Sequence, residues 1–151
     1  MELFELSQRP DALAEFPAVM QIPVQWGDQD AYRHVNNVVS LRWFETARLA
    51  YFDAAGIRQL EDQGLAPILA SASLDYHLQL LYPDTILSAS RISRVGSKSL
   101  TMEHAIYSKG QQEVVTRGTC ILVMYDYKLQ ESVVASDEVR QLIETFESRT
   151  D

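Results

Sequence analysis

The segment Asn37–Ala55 constrains the fold most, because it is the one long helical pattern in a chain otherwise rich in strand patterns. It contains neither proline nor glycine, and its apolar residues recur at helical spacing, for example Leu41, Phe44, Ala47 and Tyr51. Gly56 follows where the end of a helix favours a left-handed residue. Most sides of this helix are apolar, so we expect other elements to enclose it.

Four strand patterns follow the helix, at residues 67–80, 85–96, 99–108 and 113–126. The connections between them are short and contain turn-forming residues, so we expect consecutive strands to be antiparallel neighbours. One more strand is predicted before the helix, at residues 21–26, where apolar and polar residues alternate. Pro23 cannot donate to a strand ladder, so it should lie at a sheet edge or a bulge.

The chain ends in a short predicted helix that Ser136 caps. An apolar helix and an antiparallel sheet can bury each other when the sheet curls around the helix. The sequence therefore predicts an α+β fold in which about five antiparallel strands wrap around one long central helix. We expect a single domain over residues 1–151, since this length buries a core without disulfides or metals.

Composition narrows the classes of function. The net charge of −8 argues against nucleic acid as a partner, because phosphates are bound through lysine and arginine. No apolar run is long enough to span a membrane, and the N-terminal residues lack the pattern of a signal peptide. Cys120 is the only cysteine, which suits a reducing compartment. We therefore expect a cytoplasmic protein without a membrane partner.

The loop "GDQDAYRHVNN" concentrates polar side chains just before the long helix. A helix N-terminus carries unpaired N–H groups and a partial positive charge, which stabilise an anion or a developing oxyanion. A carboxylate beside such donors is the arrangement that acyl transfer requires. The same residues could instead form only a turn and a helix cap, because Asp and Asn are favoured at both.

The run "VQWGDQDAYRHVNNVVSLRWFETAR" resembles the motif of the hot-dog-fold acyl-CoA thioesterases of the 4-hydroxybenzoyl-CoA thioesterase type. The resemblance implies a hot-dog fold and hydrolysis of an acyl-CoA substrate, with no cofactor and no metal. It also implies a homodimer or a homotetramer. Two alternatives within this fold are an acyl-thioester hydratase or dehydratase, and a binding protein with little or no turnover.

The resemblance also implies roles for the loop residues. Asp30 matches the catalytic aspartate, which either attacks the thioester carbonyl or activates a water. The oxyanion donor falls on the backbone N–H of Asn37 or its neighbours, and Asp28 matches an acid that fixes the loop. His34 and Asn36 would shape the thioester pocket, although a plain helix cap also explains Asn36.

Two positions depart from the family pattern, and we expect both to contact the substrate. Arg33 stands where the family has glycine, so it must either adopt a left-handed conformation or the loop differs. Ser40 stands where the family usually has tyrosine, and the smaller side chain should widen the acyl site. A metal site at His34 with Asp28 or Asp30 is disfavoured, because the three histidines lack ligand spacing.

The segment from Arg91 to Arg117 carries a net charge of +3, against −11 for the rest of the chain. The resemblance places the nucleotide end of coenzyme A near "RISRVGSKS", which makes four residues candidates for its phosphates: Arg91, Arg94, Lys98 and Ser99. A solvated face of exposed strands explains the same residues.

Glu45 is a rival catalytic carboxylate, but it lies about 12 Å beyond Asn37 along the helix. A pair with Arg48, three residues later, is the predicted alternative. Cys120 lies inside a strand pattern and is expected to be part of the core rather than a nucleophile.

Overall fold

The fold is an antiparallel sheet wrapped around one helix, as seen in a computed structural model that describes residues 2–150. The helices are α1 (Asn37–Ala55) and α2 (Asp137–Glu147). The strands are β1 (Ala18–Pro23), β2 (Leu65–Tyr76), β3 (Thr85–Val95), β4 (Ser99–Ser108), β5 (Glu113–Asp126) and β6 (Glu131–Ser132). The sheet order is β1-β3-β4-β5-β2, with β6 paired to β5, so the predicted α+β fold is confirmed.

Helix α1 is enclosed by the sheet, as its sequence predicts. Phe44, Ala47 and Tyr51 are fully buried, and α1 contacts β1, β3 and β4. Gly56 ends the helix with a φ of 82°, which is the left-handed conformation expected there. Leu41 differs from the prediction because 40% of it remains exposed. One side of the helix is therefore not covered by the rest of the chain.

Strand β1 begins and ends three residues earlier than predicted. Trp26 belongs to a short 3₁₀ turn, Trp26–Asp28, and is 74% exposed rather than facing the core with Val24. The reason is local, because the Asp28 carboxylate accepts the N–H of Gln25 and draws the chain into a turn. Pro23 lies in an edge strand, as predicted.

The predicted pairing of β2 with β3 is wrong, whereas the β3–β4 and β4–β5 pairs are confirmed. Strand β2 pairs with β5 at the far edge of the sheet, and residues 77–84 cross from one side of the sheet to the other. The crossing segment is held by long-range contacts rather than by a tight turn. Leu80 is buried against α1, and its carbonyl accepts the N–H of Val35 at 2.8 Å.

The remaining segments cover both ends of the core. Ser136 caps α2 by accepting the N–H of Val139, as predicted, and the ring of Phe146 packs edge-on against Tyr51 of α1. At the other end of the chain, Leu13 and Phe16 pack onto β3 and β4 residues in a separate apolar cluster. Within the described residues, no helix is long and apolar enough to cross a membrane.

Candidate functional site

The two carboxylates of the loop before α1 have different environments. Asp28 is only 4% exposed, and its carboxylate accepts the Gln25 N–H at 2.8 Å and a hydrogen bond from the Arg42 guanidinium. Its backbone carbonyl accepts the N–H of Asn36 at 2.8 Å. The contact with Gln25 closes the turn, and the contacts with Arg42 and Asn36 tie it to the start of α1, so Asp28 is placed to hold the loop in shape.

Asp30 keeps one carboxylate oxygen available. Its Oδ1 accepts the N–H of Tyr32 at 2.7 Å, whereas Oδ2 has no hydrogen-bond partner within residues 2–150. The backbone around it is closed by two bonds, from the Asp30 N–H to the His34 carbonyl at 2.8 Å and from the Arg33 N–H to the Asp30 carbonyl at 3.1 Å. The backbone thus fixes Asp30 and leaves an oxygen for chemistry.

Arg33 has a φ of 64°, so it adopts the left-handed conformation that the family pattern assigns to glycine. Of the two outcomes expected at this position, the structure shows that Arg33 adopts the left-handed conformation. Arg33 is exposed and borders a second, outer cavity beside Asp30, together with Trp26 and Gln29.

The first turn of α1 leaves one backbone N–H without a partner among residues 2–150. Asn36 is the helix cap, and its side chain accepts the N–H of Val38 at 3.2 Å, which agrees with the plain cap interpretation. The Asn36 carbonyl accepts the N–H of Val39 at 2.9 Å. Among residues 2–150, the N–H of Asn37 alone in this turn has no partner, as expected for an orphan donor at a helix start.

Asp30, His34, Asn37 and Ser40 meet around one cavity of about 310 Å³. The other residues that line it are Val35, Tyr76, His77, Leu78, Gln79, Leu80 and Thr116. Four predicted site residues thus come together, while Asn36 and Arg33 lie beside the cavity without lining it. The cavity combines an available carboxylate oxygen, an unpartnered backbone N–H and buried hydroxyl groups.

Seven cavity residues were missed by the sequence analysis, most of them in the segment 76–80 that crosses the sheet. The Tyr76 hydroxyl donates to the Asn37 carbonyl at 2.8 Å, which ties the end of β2 to the start of α1. Burial raises the pKa of Tyr76 above its ordinary value, so it remains a hydrogen-bond donor. No local signal marks residues 76–80, because only the β2–β5 pairing brings that segment here.

The basic residues predicted to bind phosphates lie at the other end of the sheet. Strand β3 runs for about 30 Å, with Thr85 near the loop before α1 and Val95 near α2. Arg91 is neutralised by Glu15 and Glu103, at 2.9 and 2.8 Å. The Lys98 ammonium donates to the carbonyl of Ser132 at 2.7 Å. Within one chain, these residues do not share a site with Asp30.

Arg94 and Ser99 complete the predicted phosphate-binding set. Arg94 is exposed and has neither an ion pair nor a hydrogen bond from its side chain within the described part of the chain. Ser99 lies at the start of β4, where its carbonyl accepts the Gly96 N–H at 2.7 Å. Of the four candidates, Arg94 is therefore the one whose side chain is most available for a ligand.

Glu45 is exposed and forms no ion pair with Arg48 among residues 2–150, so that predicted pairing is wrong. Arg48 instead lies close to the side chains of His104 and Cys120. Cys120 is buried, so the prediction that it is a core residue is confirmed. Residues 2–150 contain no group of three or more histidine, cysteine, aspartate or glutamate side chains placed to hold a metal ion.

Comparison with known proteins gives consistent matches over most of the chain. Residues 24–143 match the family model described as the thioesterase-like superfamily. The long-chain acyl-CoA thioesterase FadM of Escherichia coli is 24% identical over 125 residues, which cover 82% of this chain and 95% of FadM.

Solved structures agree with this assignment. A Thermus thermophilus thioesterase, complexed with coenzyme A and zinc, is 28% identical with a TM-score of 0.79, covering 89% of this chain and 97% of that one. The PA2801 protein of Pseudomonas aeruginosa is 32% identical with a TM-score of 0.73, covering 83% of this chain and 96% of its own. The hot-dog fold expected from the sequence is therefore confirmed.

Proposed function

The chain belongs to the thioesterase-like superfamily, and we propose that it hydrolyses an acyl-CoA thioester in the cavity beside Asp30. One observation carries this proposal: an available oxygen of Asp30 and the unpartnered N–H of Asn37 border the same cavity. A base or nucleophile and an oxyanion donor at one site are the minimum that thioester hydrolysis requires.

In this proposal the thioester carbonyl oxygen accepts a hydrogen bond from the N–H of Asn37. The negative charge that develops on that oxygen is stabilised by this donor and by the positive end of the α1 dipole. Asp28 and Tyr76 act indirectly, since they hold the loop and the first helical turn in place. His34 lines the same cavity and shapes the space around the thioester.

The Asp30 carboxylate can act by two routes. It can attack the carbonyl carbon and expel the thiolate, giving a mixed anhydride that water then hydrolyses, or it can take a proton from a water that attacks directly. In both routes a C–O bond forms, the C–S bond breaks and the thiolate is protonated. A single turnover in ¹⁸O-labelled water identifies an anhydride that water opens at the Asp30 carboxyl carbon, because the label then enters Asp30 and not the acid, whereas direct attack by water on the thioester labels the acid.

The test of the function is release of free thiol from a panel of acyl-CoAs. We expect the Asp30→Asn variant to fold normally and to lose at least about a hundredfold in kcat, the usual scale for a lost general base. The Glu45→Gln variant is the matched control, because it removes the rival carboxylate and should keep activity. A wild-type protein that releases no thiol from any acyl-CoA would overturn the proposal.

Coenzyme A is the proposed carrier, with Arg94 contributing to the binding of its phosphates. The support is the exposed guanidinium of Arg94, which has no partner within residues 2–150 and lies in a segment with a net charge of +3. The Thermus thermophilus thioesterase, whose structure contains coenzyme A, is similar over most of this chain. Because Arg94 lies far from Asp30 in the same chain, the proposal requires a second subunit.

We further propose a homodimer in which a second copy covers the open edge of the sheet. The backbone of β1 is partly covered, since Phe4 donates its N–H to the Val19 carbonyl, whereas β2 pairs on one side only. Helix α1 exposes Leu41 and Leu49, which form the apolar strip of α1, and Leu49 borders one cavity together with Leu69 of β2. An open strand edge next to exposed apolar residues favours pairing with another copy.

The proposed location is the cytoplasm. Cys120 is buried and unpaired, and it is the only cysteine in the sequence. A chain without disulfides suits a reducing compartment.

A further inference from the structure

Two buried hydroxyl groups in the cavity have no role in the mechanism described above. Ser40 is 5% exposed and Thr116 is 3% exposed, and both line the cavity that contains Asp30 and Asn37. Neither side-chain oxygen forms a hydrogen bond with another group in residues 2–150. In residues 2–150 the only enclosed side-chain nitrogen or oxygen without a partner is Nε2 of His104, so the hydroxyl oxygens of Ser40 and Thr116 are open to the cavity and available to a water or a ligand.

An irregularity in β5 directs Thr116 into the cavity. In the β4–β5 pairing, Ile106 stands opposite Thr116 and Tyr107 stands opposite Val114, so Val115 is an extra residue in β5. Such a bulge breaks the alternation of the strand and can direct a side chain into a site. Here Val115 packs into the apolar core beside α1, and Thr116 lines the cavity.

Ser40 reaches the cavity from the helix. It lies three residues after Asn37, so the two residues share one face of α1 and are separated by about 4.5 Å along its axis. The N–H of Asn37 marks where the thioester carbonyl oxygen would lie. Ser40 therefore lines the cavity about 4.5 Å further along α1 than the N–H that would bind that oxygen.

We propose that Ser40 and Thr116 hydrogen-bond an oxygen on the third carbon of the acyl group, so that short 3-hydroxyacyl- or 3-oxoacyl-CoA thioesters are the preferred substrate class. This inference rests on the proposed function. The third carbon lies two single bonds, each of about 1.5 Å, beyond the carbonyl carbon, and this spacing brings its oxygen toward Ser40. Each hydroxyl can donate as well as accept, so a ketone or an alcohol oxygen satisfies both.

The size and lining of the cavity agree with a short polar acyl group. A volume of about 310 Å³ lies at the lower end of the range of about 300–1,000 Å³ that is usual for ligand pockets. The aliphatic lining comes from Val35, Leu78 and Leu80, and the polar lining includes the hydroxyls of Ser40 and Thr116. An unsubstituted acyl chain would leave both hydroxyls without a partner and displace any water that had satisfied them.

The experiment compares kcat/KM for matched substrate pairs, 3-hydroxybutyryl-CoA with butyryl-CoA and 3-hydroxyoctanoyl-CoA with octanoyl-CoA. For the wild type, we expect the oxygenated member of each pair to be favoured at least about tenfold. Ser40→Ala and Thr116→Val, which remove one hydroxyl each, should lower this ratio at least about threefold. Thr116→Ser, which keeps the hydroxyl, should retain the preference and controls for changes in folding.

The outcomes separate this inference from the proposed function. A wild type that hydrolyses both members of each pair equally overturns the inference alone. So does an unchanged ratio in Ser40→Ala and Thr116→Val, because the hydroxyls would then serve all substrates alike. A wild type that hydrolyses no thioester overturns the proposed function and the inference with it. Equal melting temperatures of wild type and Thr116→Ser show in that case that the lack of activity is not caused by unfolding.

Discussion

The guanidinium of Arg42, in the second turn of α1, donates a hydrogen bond to the buried carboxylate of Asp28, fourteen residues earlier in the chain. The contact fastens the loop that carries Asp30 to the helix that carries Asn37. Asp28 and Asp30 are two residues apart, but their carboxylates differ. The Asp28 carboxylate forms the contacts that hold the loop, whereas Oδ2 of Asp30 has no hydrogen-bond partner in residues 2–150.

The first prediction concerns Asp28. Asp28→Asn should lower the free energy of unfolding by about 1–3 kcal/mol, because it weakens hydrogen bonds to a buried charged group. Arg42→Ala should lower the free energy of unfolding by less, because Arg42 is largely exposed and the Asp28 carboxylate still accepts the N–H of Gln25. Urea unfolding measures both variants. Equal stability of Asp28→Asn and wild type would contradict the structural role.

The second prediction concerns the left-handed conformation of Arg33. Arg33→Gly should leave stability unchanged or raise it by up to about 1 kcal/mol, because glycine adopts this φ without steric cost. Arg33→Val, the matched variant, should destabilise the protein by about 1–2 kcal/mol, since a β-branched residue tolerates this conformation poorly. Thermal unfolding followed by circular dichroism compares the two. A more stable Arg33→Val than Arg33→Gly would show that the loop relaxes to another conformation.

The third prediction is a pH dependence of stability that comes from His104. Burial, reinforced by the charge of Arg48, lowers the pKa of His104 from 6.5 to about 3. Its Nδ1 lies 2.7 Å from the Ser90 hydroxyl, and its ring stacks on Phe44. The folded protein thus keeps His104 neutral between pH 6.5 and 3, whereas the unfolded chain binds a proton there.

The contribution of His104 to the free energy of unfolding is therefore fully present above pH 6.5. It is lost as the pH falls from 6.5 toward 3, by at most about 1.4 kcal/mol per pH unit. Urea unfolding at pH 5 and at pH 7.5 gives the difference for wild type. His104→Gln, which cannot titrate, should show a smaller difference, because all other titrating groups are common to both proteins. An identical difference in the two proteins would refute this assignment.

The fourth prediction concerns the carrier. Arg94→Ala should raise KM for acyl-CoA about threefold to tenfold with little change in kcat, because a remote phosphate contact contributes equally to ground and transition states. Lys109→Ala is the control. It removes a positive charge from the same segment, but the Lys109 ammonium already donates to the Gln21 side chain. Steady-state kinetics distinguish the two variants. Equal KM values for Arg94→Ala and wild type would leave Arg94 as a solvated side chain.

The fifth prediction concerns assembly. The wild type should sediment with a mass of at least twice 17.1 kDa at micromolar concentration. Leu41→Glu, in the exposed apolar strip of α1, should weaken association and lower activity together. Leu129→Glu changes another exposed leucine, outside that strip, and should do neither. A wild-type monomer that hydrolyses thioesters at full rate would refute a site completed by a second copy.

Local sequence signals were sufficient where neighbours in the chain decide the structure. The limits of α1 follow from apolar spacing, the Asn36 cap and Gly56, and the structure begins and ends the helix where these signals predict. The hairpins β3–β4 and β4–β5 follow from short turns. The loop with Asp30 lies directly before α1, so its position at the helix N-terminus follows from the sequence as well.

Tertiary structure decided what depends on pairing across the sheet. Strand β2 pairs with β5 instead of β3, because the segment after it spans the sheet and buries Leu80 against α1. That choice brings Tyr76 to Asn37. Ser40 and Thr116 are distant in sequence and line the same cavity, where β5 carries an extra residue at Val115. Strand patterns specify which residues face inward, whereas partners and bulges depend on how the whole core packs.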